Sequence, residues 1–240
     1  MKHRTIAMDV TKYSRGDSSI IEETVPIEAP VELILNGQMV ARLSCTPVEM
    51  KYLGVGHLIS RKLLTGRHRL LDINICTGSQ PMQIRIRTRE NPDLDEAPRE
   101  QTISEDQRIS VSDLLSSVHV LEQRSRFFRE TGSAHRSMVF CGDRVLADHE
   151  DIARHNTLDK VLGNFYCNHM QPEGAVLCTT GRLFYEIVFK GAAGRFPVIA
   201  SKGAATDRAV NLALEKGITL VGFARGDRFN IYSHPERIAF

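Results

Sequence analysis

A chain of 240 residues with 42% hydrophobic and 25% charged side chains is long enough to bury one large core or two smaller ones. Its formal net charge of +2 is too small to imply nucleic acid as a partner. No apolar run approaches the roughly 20 residues of a membrane span, and Met1-Lys2-His3-Arg4 leads into polar residues rather than a signal-peptide core. A cytoplasmic protein with no membrane partner is expected.

The first twenty residues read as weakly structured, with Ser14 to Ser19 rich in small polar groups. Val31–Leu35 and Met39–Leu43 flank Asn36-Gly37, a hairpin signal because both turn positions tolerate positive φ. Thr46-Pro47-Val48-Glu49 has the form of a capping box with proline at the first helical position, and the helix should run to about Leu64. Leu70–Cys76 and Met82–Arg87 form a second hairpin, the latter alternating Ile84 and Ile86 against Arg85 and Arg87. Arg89–Arg108 carries two prolines and many charges with almost no apolar anchor. It reads as a mobile loop closing a smaller N-terminal α+β lobe (20–108) ahead of a C-terminal α/β domain (109–240).

A helix capped by Ser110 or Ser112 should run to Phe128 and stop near Gly132. Ser137–Cys141 and Arg144–Ala147 make a third hairpin around Gly142-Asp143, and the helix after Asp151 presents Leu158, Val161, Leu162 and Phe165. Three apolar runs follow, each ending in small or cationic polar residues. They are Ala175–Cys178 into Thr180-Gly181-Arg182, Pro197–Ala200 into Ser201-Lys202-Gly203, and Ile218–Gly222 into Phe223-Ala224-Arg225-Gly226-Asp227-Arg228. Unbroken apolar runs separated by helix-length segments read as buried parallel strands, and open α/β sheets bind ligands beyond the carboxyl ends of such strands. Hydroxyls, glycines and guanidinium groups there suit an anionic, nucleotide-bearing ligand. Phe229–Tyr232 is a candidate last strand.

Two polar clusters could also carry chemistry. His149, Asp151 and His155 could ligate a metal or form an acid–base set, or Asp151 could simply cap its helix while Asp159, one turn from His155, orients the imidazole. His135, after Thr131-Gly132-Ser133-Ala134, could act on a substrate or only satisfy a carbonyl. Thr180-Gly181-Arg182 could be an anion cradle at a helix amino end or a plain cap by Thr180. The five cysteines, Cys45, Cys76, Cys141, Cys167 and Cys178, contain no C-x-x-C pair, and His135-Arg136-Ser137 is not H-x-E, so no zinc is expected. Four lie in apolar runs and read as small buried hydrophobes. Cys45 precedes a helix start, where amides could lower its pKa, and it is the one catalytic candidate.

Several blocks resemble the formate dehydrogenase accessory sulfurtransferase (FdhD/NarQ) family: Thr131–His135, Glu150–Lys160, Thr180-Gly181-Arg182 with Phe184-Tyr185-Glu186, and Leu220–Gly226. The Val31–Thr46 hairpin and the helix at Pro47 also fit, so the resemblance covers nearly the whole chain. It implies a cytidine-deaminase-like three-layer α/β/α core without zinc, in a cytoplasmic homodimer. It further implies binding of the molybdenum bis-guanine-dinucleotide cofactor, and sulfur taken from a cysteine desulfurase as a persulfide on a C-x-x-C loop. That sulfur passes to the molybdenum centre and activates formate dehydrogenase. The family's cofactor-binding segment falls on Phe223–Arg228, while Thr180–Arg182 and Ser201 would hold nucleotide and phosphate, with His135, Asp151 and His155 lining the cleft. One departure bears on mechanism: the C-x-x-C loop should fall within Arg89–Arg108, which has no cysteine. The expected function is maturation of formate dehydrogenase by binding this cofactor and sulfurating or delivering it. The rival is a chaperone that binds the cofactor without covalent chemistry. A third option is a metal-independent enzyme using His135 or His155 as base.

Overall fold

The computed structural model describes residues 4–90 and 108–240. The chain opens with an antiparallel hairpin, β1 (Thr5–Ser14) and β2 (Asp17–Pro26), where a weakly structured terminus was expected. The small polar residues lie at its turn, and Arg15-Gly16 take positive φ. The period-2 signal was there in Ile6, Met8 and Val10, diluted by intervening polar residues. β3 (Ala29–Leu35) and β4 (Gln38–Cys45) close around Asn36-Gly37 at φ 49° and 85°, as the turn chemistry requires.

α1 (Met50–Ser60) starts later and ends earlier than expected. Its N-cap is Glu49 at φ 53°, with no side-chain cap. The Thr46 hydroxyl instead accepts the Ile152 N–H at 3.2 Å, so a tertiary bond displaces the local capping box. β5 (His68–Cys76) and β6 (Met82–Glu90) complete a small sheet of order β4-β3-β6-β5. β6 therefore takes in Arg89 and Glu90, and residues 91–107 of the expected mobile segment lie outside the described residues.

The larger lobe begins with β7 (Ile109–Ser110) and α2 (Val111–Arg124), where Ser110 accepts the Asp113 N–H at 3.0 Å. The single helix expected to Phe128 breaks at Ser125, whose hydroxyl back-bonds to Leu121 O at 2.7 Å. A separate α3 (Arg126–Thr131) then ends at Gly132 in the left-handed region. There follow β8 (His135–Cys141), β9 (Arg144–Asp151), α4 (Arg154–Cys167), β10 (Val176–Thr179), α5 (Tyr185–Ala193), β11 (Val198–Ser201), α6 (Asp207–Glu215), β12 (Thr219–Arg225), β13 (Arg228–Ser233) and β14 (Ile238–Ala239). The main sheet has the order β13-β12-β11-β10-β8-β9, with β10, β11 and β12 parallel as the apolar runs imply. These strands are buried on both faces. Val176, Cys178, Val198, Ala200 and Val221 pack with Leu114, Val118 and Leu121 of α2. Leu177, Ile199 and Leu220 pack with the apolar sides of α4, α5 and α6.

Burial of the cysteines is narrower than expected. Cys45 and Cys178 are buried, Cys76 and Cys167 are half-buried, and Cys141, at the β8–β9 turn, is exposed.

The lobes join where α1 crosses α4. A Cβ on Gly56 would lie 1.7 Å from the Asp159 carbonyl oxygen, and one on Gly163 would lie 2.0 Å from that of Tyr52. Each glycine admits the other helix's backbone, so neither position tolerates a side chain without separating the helices. Gly56→Ala is expected to destabilise the protein by on the order of 3 kcal/mol, since backbone cannot yield as a side-chain tip does. Thermal denaturation of the variant against wild type measures this.

Candidate functional site: a cationic sheet edge

β8 runs antiparallel to β10, so its first residue shares a sheet edge with the carboxyl ends of β10 and β11. That places His135, Thr180 and Ser201 along one line. The Thr180 hydroxyl accepts the Arg136 N–H at 3.0 Å and lies 3.3 Å from His135 Nδ1. The Gly181 N–H donates to Thr179 Oγ1 at 3.2 Å. A Cβ on Gly181 would sit 2.9 Å from Cβ of Arg154, so this glycine lets the first residue of α4 lie against the edge. The Arg154 and Arg182 guanidinium groups then stand 4.7 and 4.8 Å from the centre of the Phe184 ring. Burial holds the His135 imidazole below its ordinary pKa, and Arg154 and His155 push the same way against the opposing Asp151. The imidazole is therefore neutral near neutral pH in a positive field.

The edge continues across β12. Phe223 adopts φ 53° at an irregularity in the β12–β13 pairing, donates its N–H to Gly203 O at 3.0 Å, and is exposed. Arg225 Nε and Nη2 donate to Lys202 O at 3.2 and 3.1 Å. Gly226 and Asp227 form the exposed turn, and Arg228 pairs with Arg225 across it.

Several sequence expectations are corrected here. Thr180–Arg182 does not lie at a helix amino end, because α5 begins only at Tyr185. The intervening segment is extended, with Leu183 bridged to Ala205. Ala224 is fully buried beneath α2 and offers no side chain to the edge. The buried Ser201 hydroxyl donates to Gly181 O at 2.6 Å and accepts the Gly203 N–H at 2.9 Å, so it shapes the edge from within. Cys45 is not activated: burial, then the Asp151 charge, pushes its thiol up to about 12, with Lys160 opposing. Arg154 was missed as a site residue, although its place beside His155 at the start of α4 was the available signal.

The Glu150–Lys160 block is mostly structural. Asp151 does not line the cleft; it is fully buried, 2.7 Å from Lys160 Nζ, and accepts bonds from Asn156 Nδ2 and the Ala153 N–H. Asp159 does not orient His155. It accepts Lys190 Nζ at 2.7 Å and Ser60 Oγ at 3.1 Å, with His57 Nδ1 3.3 Å from its other oxygen. His149 is bonded to Glu49 and Asn164, so the suggested ligand set is dispersed, and among the described residues no group of three or more His, Cys, Asp or Glu side chains gathers as a metal site. His155 does reach a cavity of about 690 Å³ bordered by β2, β4 and the segments flanking β8 and β9, with Arg42, Ser44, Thr131 and Ser133 in its lining.

Fold and edge together define a mixed α/β protein with a cationic sheet edge and a cavity bordered by His155. The chain belongs to the FdhD/NarQ family, whose sequence profile matches residues 26–104 and 86–239. It is 28% identical over 255 residues to the sulfur carrier protein FdhD of Bacillus subtilis, covering 98% of this chain and 97% of the relative. It is 29% identical over 246 residues to that of Wolinella succinogenes, covering 93% and 86%. The fold superposes on a crystal structure of a formate dehydrogenase accessory protein from Desulfotalea psychrophila with a TM-score of 0.86 at 24% identity, over 99% of this chain and 100% of the other. No described helix is long and apolar enough to cross a membrane.

Removing one partner of the Asp151–Lys160 pair strands a buried charge. Lys160→Met is expected to cost about 3–5 kcal/mol of stability, read from urea denaturation at neutral pH.

Proposed function

We propose that this chain is an accessory protein of formate dehydrogenase maturation that binds the molybdenum bis-guanine-dinucleotide cofactor along the cationic sheet edge. The observation that carries the proposal is the convergence of Arg154, Arg182, His135 and Thr180 on one edge, beside a Gly181 backbone with no Cβ in the way. This donor set fits diphosphate groups, since guanidinium groups pair with phosphate oxygens through two parallel bonds. Arg154, Arg182 and Arg225 would hold phosphate, and exposed Phe223 would offer a face to a base. The cofactor supplies the molybdenum centre to which sulfur is attached. The chain's own residues bind and orient it.

The relatives named as sulfur carriers support a sulfur step here, for which we propose a cysteine desulfurase as donor and formate dehydrogenase as recipient, in a cytoplasmic homodimer. Helices on both faces of the main sheet support the cytidine-deaminase-like layering of this family. The second reading, delivery of the cofactor without a covalent step, is favoured by the cysteines. None stands between Cys76 and Cys141, and Cys45 and Cys178 are buried with raised thiol pKa values.

Arg182→Ala is expected to weaken guanosine diphosphate binding by about 1–3 kcal/mol in a calorimetric titration, the cost of a charge-assisted bond. Unchanged affinity would remove the edge from the nucleotide site. Mass spectrometry after incubation with a cysteine desulfurase and cysteine separates the two readings. Added sulfur on Cys76, Cys141 or Cys167 identifies transfer, and no addition identifies delivery. Cys45 and Cys178 are expected to stay unmodified.

A further inference from the structure

The small sheet has one covered face and one open face. Val31 and Leu33 of β3 and Ile84 and Ile86 of β6 are buried with Leu53 and Leu58 of α1. By the period of two, the residues between them point the other way, and there Arg85, Arg87 and Arg89 of β6 are all exposed. The register sets three β5 residues opposite them: Asn74 against Arg85, Asp72 against Arg87, and Arg69 against Arg89. At the other side of the same face, Arg42 of β4 stands opposite Glu32 of β3.

Part of this open face balances its charges. Arg42 pairs with Glu32 at 3.6 Å, and Arg87 with Asp72 at 3.5 Å. The rest does not. The Arg85 guanidinium donates to the neutral Gln83 Oε1, from Nε at 3.0 Å and from Nη2 at 2.7 Å. Arg69 and Arg89 face each other across the strands, and neither forms an ion pair with a described residue. Like charges set directly opposite one another are destabilising, so this pair persists against its own repulsion. Over β5 and β6 the face thus carries four guanidinium groups against the one carboxylate of Asp72, while Glu90 falls on the alternate side with Thr88. Leu71, at an irregularity in the β5–β6 pairing, adds an exposed apolar side chain, and β5 is the free edge of its sheet.

We propose that this face docks an acidic, extended segment of a partner protein, whose carboxylates at alternate residues meet Arg85, Arg87 and Arg89 with Arg69 alongside. Alternate residues stand about 7 Å apart in any extended strand. A segment lying along β6 therefore brings one carboxylate to each guanidinium in turn, and that pairing forms two parallel hydrogen bonds. Occupancy also relieves the Arg69–Arg89 repulsion, because a carboxylate between the two is attracted by both. Nucleic acid fits this face less well. It offers no aromatic ring on which a base could stack, and Asp72 and Glu32 stand among the arginines and repel phosphates. The face lies on the opposite side of its sheet from α1, which joins the lobes, so an occupant leaves the cationic edge of the main sheet free. The proposal rests on this charge arrangement and not on the cofactor reading.

The probe is a synthetic peptide of alternating glutamate and threonine, titrated with the full chain and followed by fluorescence anisotropy. It should bind at low ionic strength and lose at least roughly tenfold in affinity between about 0.05 M and about 0.5 M salt. Arg85→Glu with Arg89→Glu, both at exposed positions, should weaken it at least roughly tenfold and leave guanosine diphosphate affinity unchanged. Arg85→Gln with Arg89→Gln makes the same test without charge reversal, with an expected loss of roughly threefold. Arg69→Glu should also weaken the peptide, yet raise the midpoint of thermal denaturation by about 1–3 °C, because it turns a like-charge pair into an opposite one. A lowered midpoint with peptide affinity intact would remove Arg69 from the site. No binding by the wild-type chain, or binding unchanged in both double variants, would overturn the proposal. Equal affinity for a peptide with its glutamates in one block would overturn the extended mode of docking. An oligothymidine that displaces the peptide and binds more tightly would give the face to nucleic acid. Affinity that rises when Asp93, Asp95 and Glu96 are changed to Asn, Asn and Gln would give it to this chain's own acidic stretch and end the claim of a partner. Guanosine diphosphate affinity falling in step with that of the peptide would merge the face with the nucleotide site.

Discussion

Two lysine–aspartate pairs sealed within the interior hold this architecture together. Lys160 meets Asp151 at 2.7 Å and Lys190 meets Asp159 at 2.7 Å, with all four side chains at 2% exposure or less. Desolvating such ions costs several kcal/mol each, and the attraction offsets that only when the geometry and the remaining hydrogen bonds are good. The pairs therefore matter less as sources of stability than as constraints. The charges tolerate burial in one arrangement, and that arrangement fixes α4 against its neighbours.

The partners show what is being fixed. Asp159 takes Ser60 from α1 and Lys190 from α5, so one carboxylate ties the smaller lobe to the larger. Asp151, at the end of β9, holds Asn156, which also donates to Ser44 O of β4 at 2.8 Å. Contact at this distance requires close backbone approach, and Gly56 and Gly163 provide it at the helix crossing. Ion pairs and glycines are thus one device: the glycines bring the helices together, and the proximity lets the charges find partners.

The cationic sheet edge inherits its geometry from the same anchor. With α4 fixed, its first residues Arg154 and His155 stand at the carboxyl ends of the parallel strands. Gly181 accepts the stem of Arg154, and Phe184 lies against two guanidinium groups. Positive charge is thereby concentrated at a sheet edge in a chain whose net charge is only +2. Location, not total charge, defines this site.

The sequence by itself determined the elements whose signal is local. The turn residues Asn36-Gly37 set one hairpin, and the unbroken runs of β10, β11 and β12 set a parallel sheet buried on both faces, with polar residues crowded at its carboxyl edge. Signature blocks along the chain also pointed to the family. Tertiary structure alone decided what each polar residue of those blocks does, because a side chain's partner is set by residues far along the chain. Asp159 bonds Ser60, 99 residues away, rather than His155 on its own helix. Thr46 bonds Ile152 instead of capping the helix beside it. Cys45 was expected beside a helix start that would lower its pKa, yet it ends β4, five residues ahead of α1, and burial, then the Asp151 charge, raises it. Spacing along a helix or strand fixes which residues can be neighbours locally. Which polar groups are taken out of water together, and which stay at the surface for a ligand, was fixed only by the packing of one lobe on the other.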